Sequence, residues 1–164
     1  MHPTSDEVKF DLKLFSSQTE SLLRLLKKFS EQLDLESESI RKNLADQILK
    51  TTANKQELAD KLNSETSALN FNLEKSGLNL NTLVESQLFK TLPKDLQQQT
   101  QALISLVQEC HDKNLANGMS IQMLSNINQH ALDLISGKHK QDIKLYGSSG
   151  EKTQSGNQSS LGKA

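Results

Sequence analysis

Turn-forming residues are almost absent from the first 136 positions of this chain. Of seven glycines only Gly77 and Gly118 come before Gly137, and the two prolines are Pro3 and Pro93. Strands joined by tight turns need such residues repeatedly. A β-sandwich, a dinucleotide-binding α/β fold and most enzyme scaffolds are therefore disfavoured, and long helices remain. Composition agrees. At 34% the apolar fraction is too small for a thick interior, since roughly 45–50% is usual once glycine is counted. A length of 164 residues suits one domain.

Apolar spacing supplies the helices. Val8, Leu12, Phe15, Thr19, Leu22, Leu26, Phe29 and Leu33 recur at alternating intervals of four and three, the heptad seam that keeps one stripe against a partner helix. This predicts a helix over about 6–33, capped by Ser5 or Asp6. A second seam, Leu44, Ile48, Thr51, Lys55, Leu58, Leu62, Glu65, Leu69 and Leu73, predicts a helix over about 35–75 with Asp34 as its cap. Such a helix would be roughly 55 Å long at ~1.5 Å per residue. The short junction at Asp34 favours an antiparallel hairpin, with one bent helix as the alternative. The third seam, Leu96, Thr100, Leu103, Val107, Cys110, Asn114, Asn117, Ile121, Leu124, Asn128, Ala131 and Ile135, predicts a helix over about 92–136 opened by Thr91 and Pro93.

Between the second and third seams, about 74–92, lies an Asn- and Leu-rich connector. Ser76-Gly77 reads there as a helix stop, and Thr82-Leu83-Val84-Glu85 has the spacing of a capping box. The expected fold is all-α: a coiled-coil hairpin of two long helices plus a long third helix, in a domain covering 1–136. Residues 137–164 hold five of the glycines and five lysines against two acids. A Gly/Ser-rich basic segment of this kind buries too little surface to fold alone, so a disordered tail is expected.

Other classes fall away on chemistry. No run approaches the ~20 apolar residues that span a bilayer. The start, Met1-His2-Pro3-Thr4, lacks the basic and then apolar pattern of a secretion signal, so a cytosolic protein is expected. A formal net charge of −1 gives no global field for nucleic acid. Cys110-His111-Asp112 contains the residue types of a thiol nucleophile and its base, but helical neighbours diverge and Cys110 sits on the seam. His130 and Asp133 share a helical face, without the further ligands that a metal needs. No catalytic motif, metal site or cofactor is expected. Near the end of the third helix Met123, Ile127, Leu132 and Leu134 widen the apolar surface beyond what a hairpin needs. Either the core continues there, or the face receives a partner's amphipathic helix.

The segment Asn114-Leu115-Ala116-Asn117-Gly118, followed by Ile121, resembles the NxxNG motif in the third helix of the FlgN family of flagellar type III export chaperones. The resemblance continues through Ala131-Leu132-Asp133-Leu134-Ile135-Ser136-Gly137, then Tyr146 and Gly150, then Leu161, Gly162 and Ala164. Ser120, beside Ile121, departs from the apolar residue usual in the family. The resemblance implies a cytoplasmic chaperone, not an enzyme. It would bind the C-terminal helical region of unassembled hook–filament junction proteins, prevent their premature assembly and deliver them to the export gate. It further implies client binding by Ile121, Met123, Leu124, Ile127, Ala131, Leu134 and Ile135. Tyr146 and Gly150 would dock on the export-gate membrane protein. No nucleic acid or small-molecule substrate is implied, and a monomer or weak dimer is expected. The competing expectation is a structural coiled-coil adaptor that self-assembles through the same seams; a small helical enzyme using Cys110 is a third.

Overall fold

The structure, a computed structural model, describes residues 9–137. Asp11 starts the first helix: its carboxylate accepts the Leu14 backbone N–H at 2.9 Å, and α1 follows as Leu12–Arg41. The start is thus later than the seam predicts, because residues 9–11 are not helical. Ser5, Asp6 and Val8 lie outside the described residues. The end is also later. Asp34 does not cap a second helix but sits inside α1, whose buried seam passes from Leu33 to Glu36 without a break.

The chain reverses at residues 42–44. Asn43 adopts a left-handed φ of 53°, and the Leu44 N–H returns to the Ser39 carbonyl at 3.0 Å, a closure in which Asn can replace Gly. The second helix, α2, is Ala45–Glu74. It ends where expected, with Gly77 at φ +69° and Leu78 N–H bonded back to Leu73. The hairpin is antiparallel: Glu36 faces Thr52 and Lys55, while Asp11 faces Asn72.

Two short helices link the end of α2 to the start of the last helix, and both of those ends lie beside the start of α1. Asn79, not Thr82, caps α3 (Leu80–Leu83), with Thr82 completing the capping box, and Ser86 caps α4 (Gln87–Thr91). Thr91 therefore ends a helix instead of opening the next. The long last helix, α5 (Lys94–Ile135), begins after Pro93, whose carbonyl accepts the Gln97 N–H at 2.9 Å. It runs parallel to α1 in a constant register. Cys110 meets Leu26, Lys113 meets Ser30 and Asn117 meets Leu33, each pair 83 or 84 residues apart. Among the described residues every regular element is helical.

The chain divides into two units, Met1–Leu124 and Ser125–Ala164. The first holds the core, in which Phe15, Leu22, Leu26 and Leu33 of α1 join Leu69 and Leu73 of α2, Leu83 and Phe89 of the connector, and Leu96 and Leu103 of α5. Three seam positions are threonines. Thr19, Thr51 and Thr100 are buried because each hydroxyl donates to the carbonyl one turn back in its own helix, at 2.8, 2.9 and 2.7 Å. A hydroxyl satisfied locally makes no demand on the facing helix. In the second unit the described residues are the last turns of α5 and the turn ending at Gly137.

Candidate protein-binding site

The NxxNG motif lies on α5, where the chain has two very different surfaces. Asn117 is buried and donates its amide to the Leu33 carbonyl at 2.8 Å and to Glu36 Oε2 at 3.0 Å. Glu36 is fully buried. Its Oε1 also accepts the Thr52 hydroxyl at 3.0 Å, and the Lys55 ammonium bonds both oxygens at 3.0 and 3.1 Å. Lys55, itself 17% exposed, reaches on to Asn114 Oδ1 at 2.9 Å. A buried carboxylate is tolerated only when paired and hydrogen-bonded on both oxygens. Here Asn114 and Asn117 complete a knot that joins all three long helices. Both motif asparagines are thus committed inside the chain.

Gly118, next in the motif, is exposed, and a Cβ placed there would meet nothing within 4 Å. Around it in the first unit Leu115, Met119 and Met123 are 57, 67 and 65% exposed. Ile121 and Leu124 are half-buried. In the second unit Ile127, Ala131, Leu132, Leu134 and Ile135 are all exposed, Ile135 at 84%. The residues expected to bind a client are therefore not equivalent, since Ile121 and Leu124 are the two partly covered ones. Ser120 turns its hydroxyl onto the Ala116 carbonyl at 3.0 Å. Tyr146 and Gly150 lie outside the described residues.

Leu115 and Met119 belong to the exposed apolar surface and escape a reading based on seam positions. A signal for them exists in charge. From Asn114 through Leu132 there is no Asp, Glu, Lys or Arg, the longest such run in a chain where 24% of residues are charged. A solvated helix face ordinarily carries charges.

A cleft of about 600 Å³ also opens in the first unit between α1, α2, α3 and α5. Leu22, Leu26, Leu62 and Leu103 line it together with Asn63 and Asn81, and none of its lining residues is Asp, Glu, Lys or Arg. His111 and Cys110 line it too, and Cys110 is buried and directs its thiol at the Leu26 carbonyl. Burial pushes that thiol above its ordinary range, away from the thiolate that nucleophilic chemistry needs. The Asp133 carboxylate accepts from Gln129 at 3.0 Å. Among the described residues no three His, Cys, Asp or Glu side chains gather where they could hold a metal ion, and no helix is long and apolar enough to cross a membrane.

A helical chain whose polar groups are spent on internal register, and whose last helix bares apolar side chains along an uncharged run, has the make-up of a protein-binding protein. The family comparison agrees. The model of the family described as FlgN protein matches residues 13–154, and the chain belongs to that family. Membership points to a flagellar export chaperone. Comparison with curated proteins and with solved structures gives no significant match.

Proposed function

We propose that this chain is a cytoplasmic chaperone for hook–filament junction proteins awaiting export. It captures their C-terminal helical region, keeps them from assembling early and hands them to the export gate, as a monomer or weak dimer when free. The observation that carries this reading is the exposure of Ile127, Leu132, Leu134 and Ile135 in the last turns of α5. Contiguous exposed apolar surface marks an interaction site in a folded protein. A client helix supplies the matching stripe, and methionine repacks readily against different partners. Tyr146 and Gly150 serve the last step, docking on the export-gate membrane protein, where one aromatic adds much contact area at little entropic cost. Residues 1–136 form the holding domain and 137–164 the delivery segment.

Coexpression with the C-terminal segment of a hook–filament junction protein tests the proposal, and a soluble complex is expected. Each buried Ile or Leu is worth about 1.5–3 kcal/mol, so Ile127→Asp with Leu134→Asp should weaken capture at least about a hundredfold. Far-ultraviolet circular dichroism should be unchanged. Capture at the parental affinity would show that this face is not the site. A stable oligomer of the free chain on light scattering, dissolved by the same double substitution, would favour the self-assembling adaptor.

A further inference from the structure

Gly118 is a helical residue with no internal reason to be glycine. Its φ is not left-handed, it stands in the interior of α5, and nothing lies within 4 Å of where a Cβ would be. Alanine there would favour folding, because glycine gives up helix stability through its larger backbone entropy. The free chain obtains no packing in return. Its surroundings say what the return is. Leu115, Gly118, Met119, Gln122 and Met123 follow one another at intervals of three and one, the spacing of a helix-packing seam. The three apolar members are more than half exposed, and the seam lies within the uncharged run. Asn117, one residue away, is fixed from the opposite side by Leu33 and Glu36.

We infer that Gly118 is the floor of a notch in which a client helix makes its closest approach, with a Leu- or Phe-sized side chain seated between Leu115, Met119 and Met123. Interaxial distance is set by the side chains at the crossing point, and a missing Cβ brings the two backbones nearer. Because the run bears no charge, the client's apposed stripe is apolar, and shape instead of ion pairing selects it. A second copy of this chain is the rival occupant. A twofold contact would have to seat Leu115 or Met119 of each copy in the notch of the other, which the oligomeric state of the free chain tests. The inference rests on the client-chaperone reading and adds the crossing point, nine residues before Ile127 in the sequence.

Stability and affinity should then move in opposite directions. In the full chain Gly118→Ala should raise the folding equilibrium constant about two- to five-fold, seen as a higher thermal midpoint. The same substitution should weaken binding of the C-terminal segment of a hook–filament junction protein by tenfold or more, measured by titration calorimetry. Gly118→Leu should abolish binding while the helical signal persists. A parent that binds with Gly118→Ala binding equally well overturns the notch and leaves the chaperone reading standing. A parent that captures no client ends both. A lower thermal midpoint for Gly118→Ala would mean that the glycine serves the free fold, and a parental dimer broken by Gly118→Leu would assign the notch to a second copy; either result overturns the inference.

Discussion

Glu36 carries the largest local commitment in the molecule. It occupies the seam position after Leu33, where an apolar side chain would be ordinary, and its carboxylate is wholly buried. Every partner is a donor: Thr52, Lys55 and Asn117. Removing it leaves the Lys55 ammonium without its counter-charge, with Asn114 as its remaining acceptor, and breaking a buried pair from one side costs about 3–5 kcal/mol. Asn117→Ala removes a neutral donor and should cost about 1–3 kcal/mol. Asn114 is exposed and contributes one bond to a partly exposed ammonium, so Asn114→Ala should cost no more than about 1 kcal/mol. Urea unfolding of the three variants should give that order. If Asn114→Ala were as damaging as Glu36→Ala, burial would not be what gives the knot its weight.

At the scale of whole elements, two polar clamps fix how the helices register. Asn72 is buried at one end of the hairpin and brackets the Asp11 backbone, accepting its N–H at 3.0 Å and donating to its carbonyl at 2.9 Å. The Glu36 knot does the same near the other end of α1. Most of the hairpin was legible from heptad spacing, because a 4/3 repeat has few other physical uses. The junction was not. Asp34 is a good cap by type, but nothing in a local pattern reveals that the seam continues through a charged residue whose partners lie 16, 19 and 81 positions away. The real terminus is held by charges as well as by Asn43. Glu38 is clasped by Arg41 and Lys42 at 2.7 and 2.8 Å, and hydrogen bonds to that pair lower its pKa from 4.5 to about 2. A carboxylate depressed on folding stabilises above its unfolded pKa and loses that contribution as pH falls through the folded value. Glu38→Gln should therefore flatten the decline of α1 hairpin stability between pH about 4.5 and about 2, followed by urea midpoints in that window. An unchanged slope would show that the clasp is not formed in solution.

For the molecule as a whole, the uncharged run marks the exposed apolar surface of α5 more clearly than the seams do, since seam spacing treats Ile121, Leu124 and Ile135 alike. Their exposures separate them: the first two are half-buried and Ile135 is 84% exposed. Where few side chains are covered, amides open at little cost, so hydrogen exchange should be fast over 125–135 in the free chain and slow over 15–33, where the core is dense. A client present at a hundred times its Kd adds about 2.7 kcal/mol, which slows exchange roughly a hundredfold wherever opening requires its release. That protection should appear over 115–135 and leave 15–33 as it was. The cleft offers a different outcome for the same measurement. Protection concentrated at 59–66 and 103–111 would put the client between α2 and α5, against Leu62 and Leu103, and would move the site away from the end of the last helix.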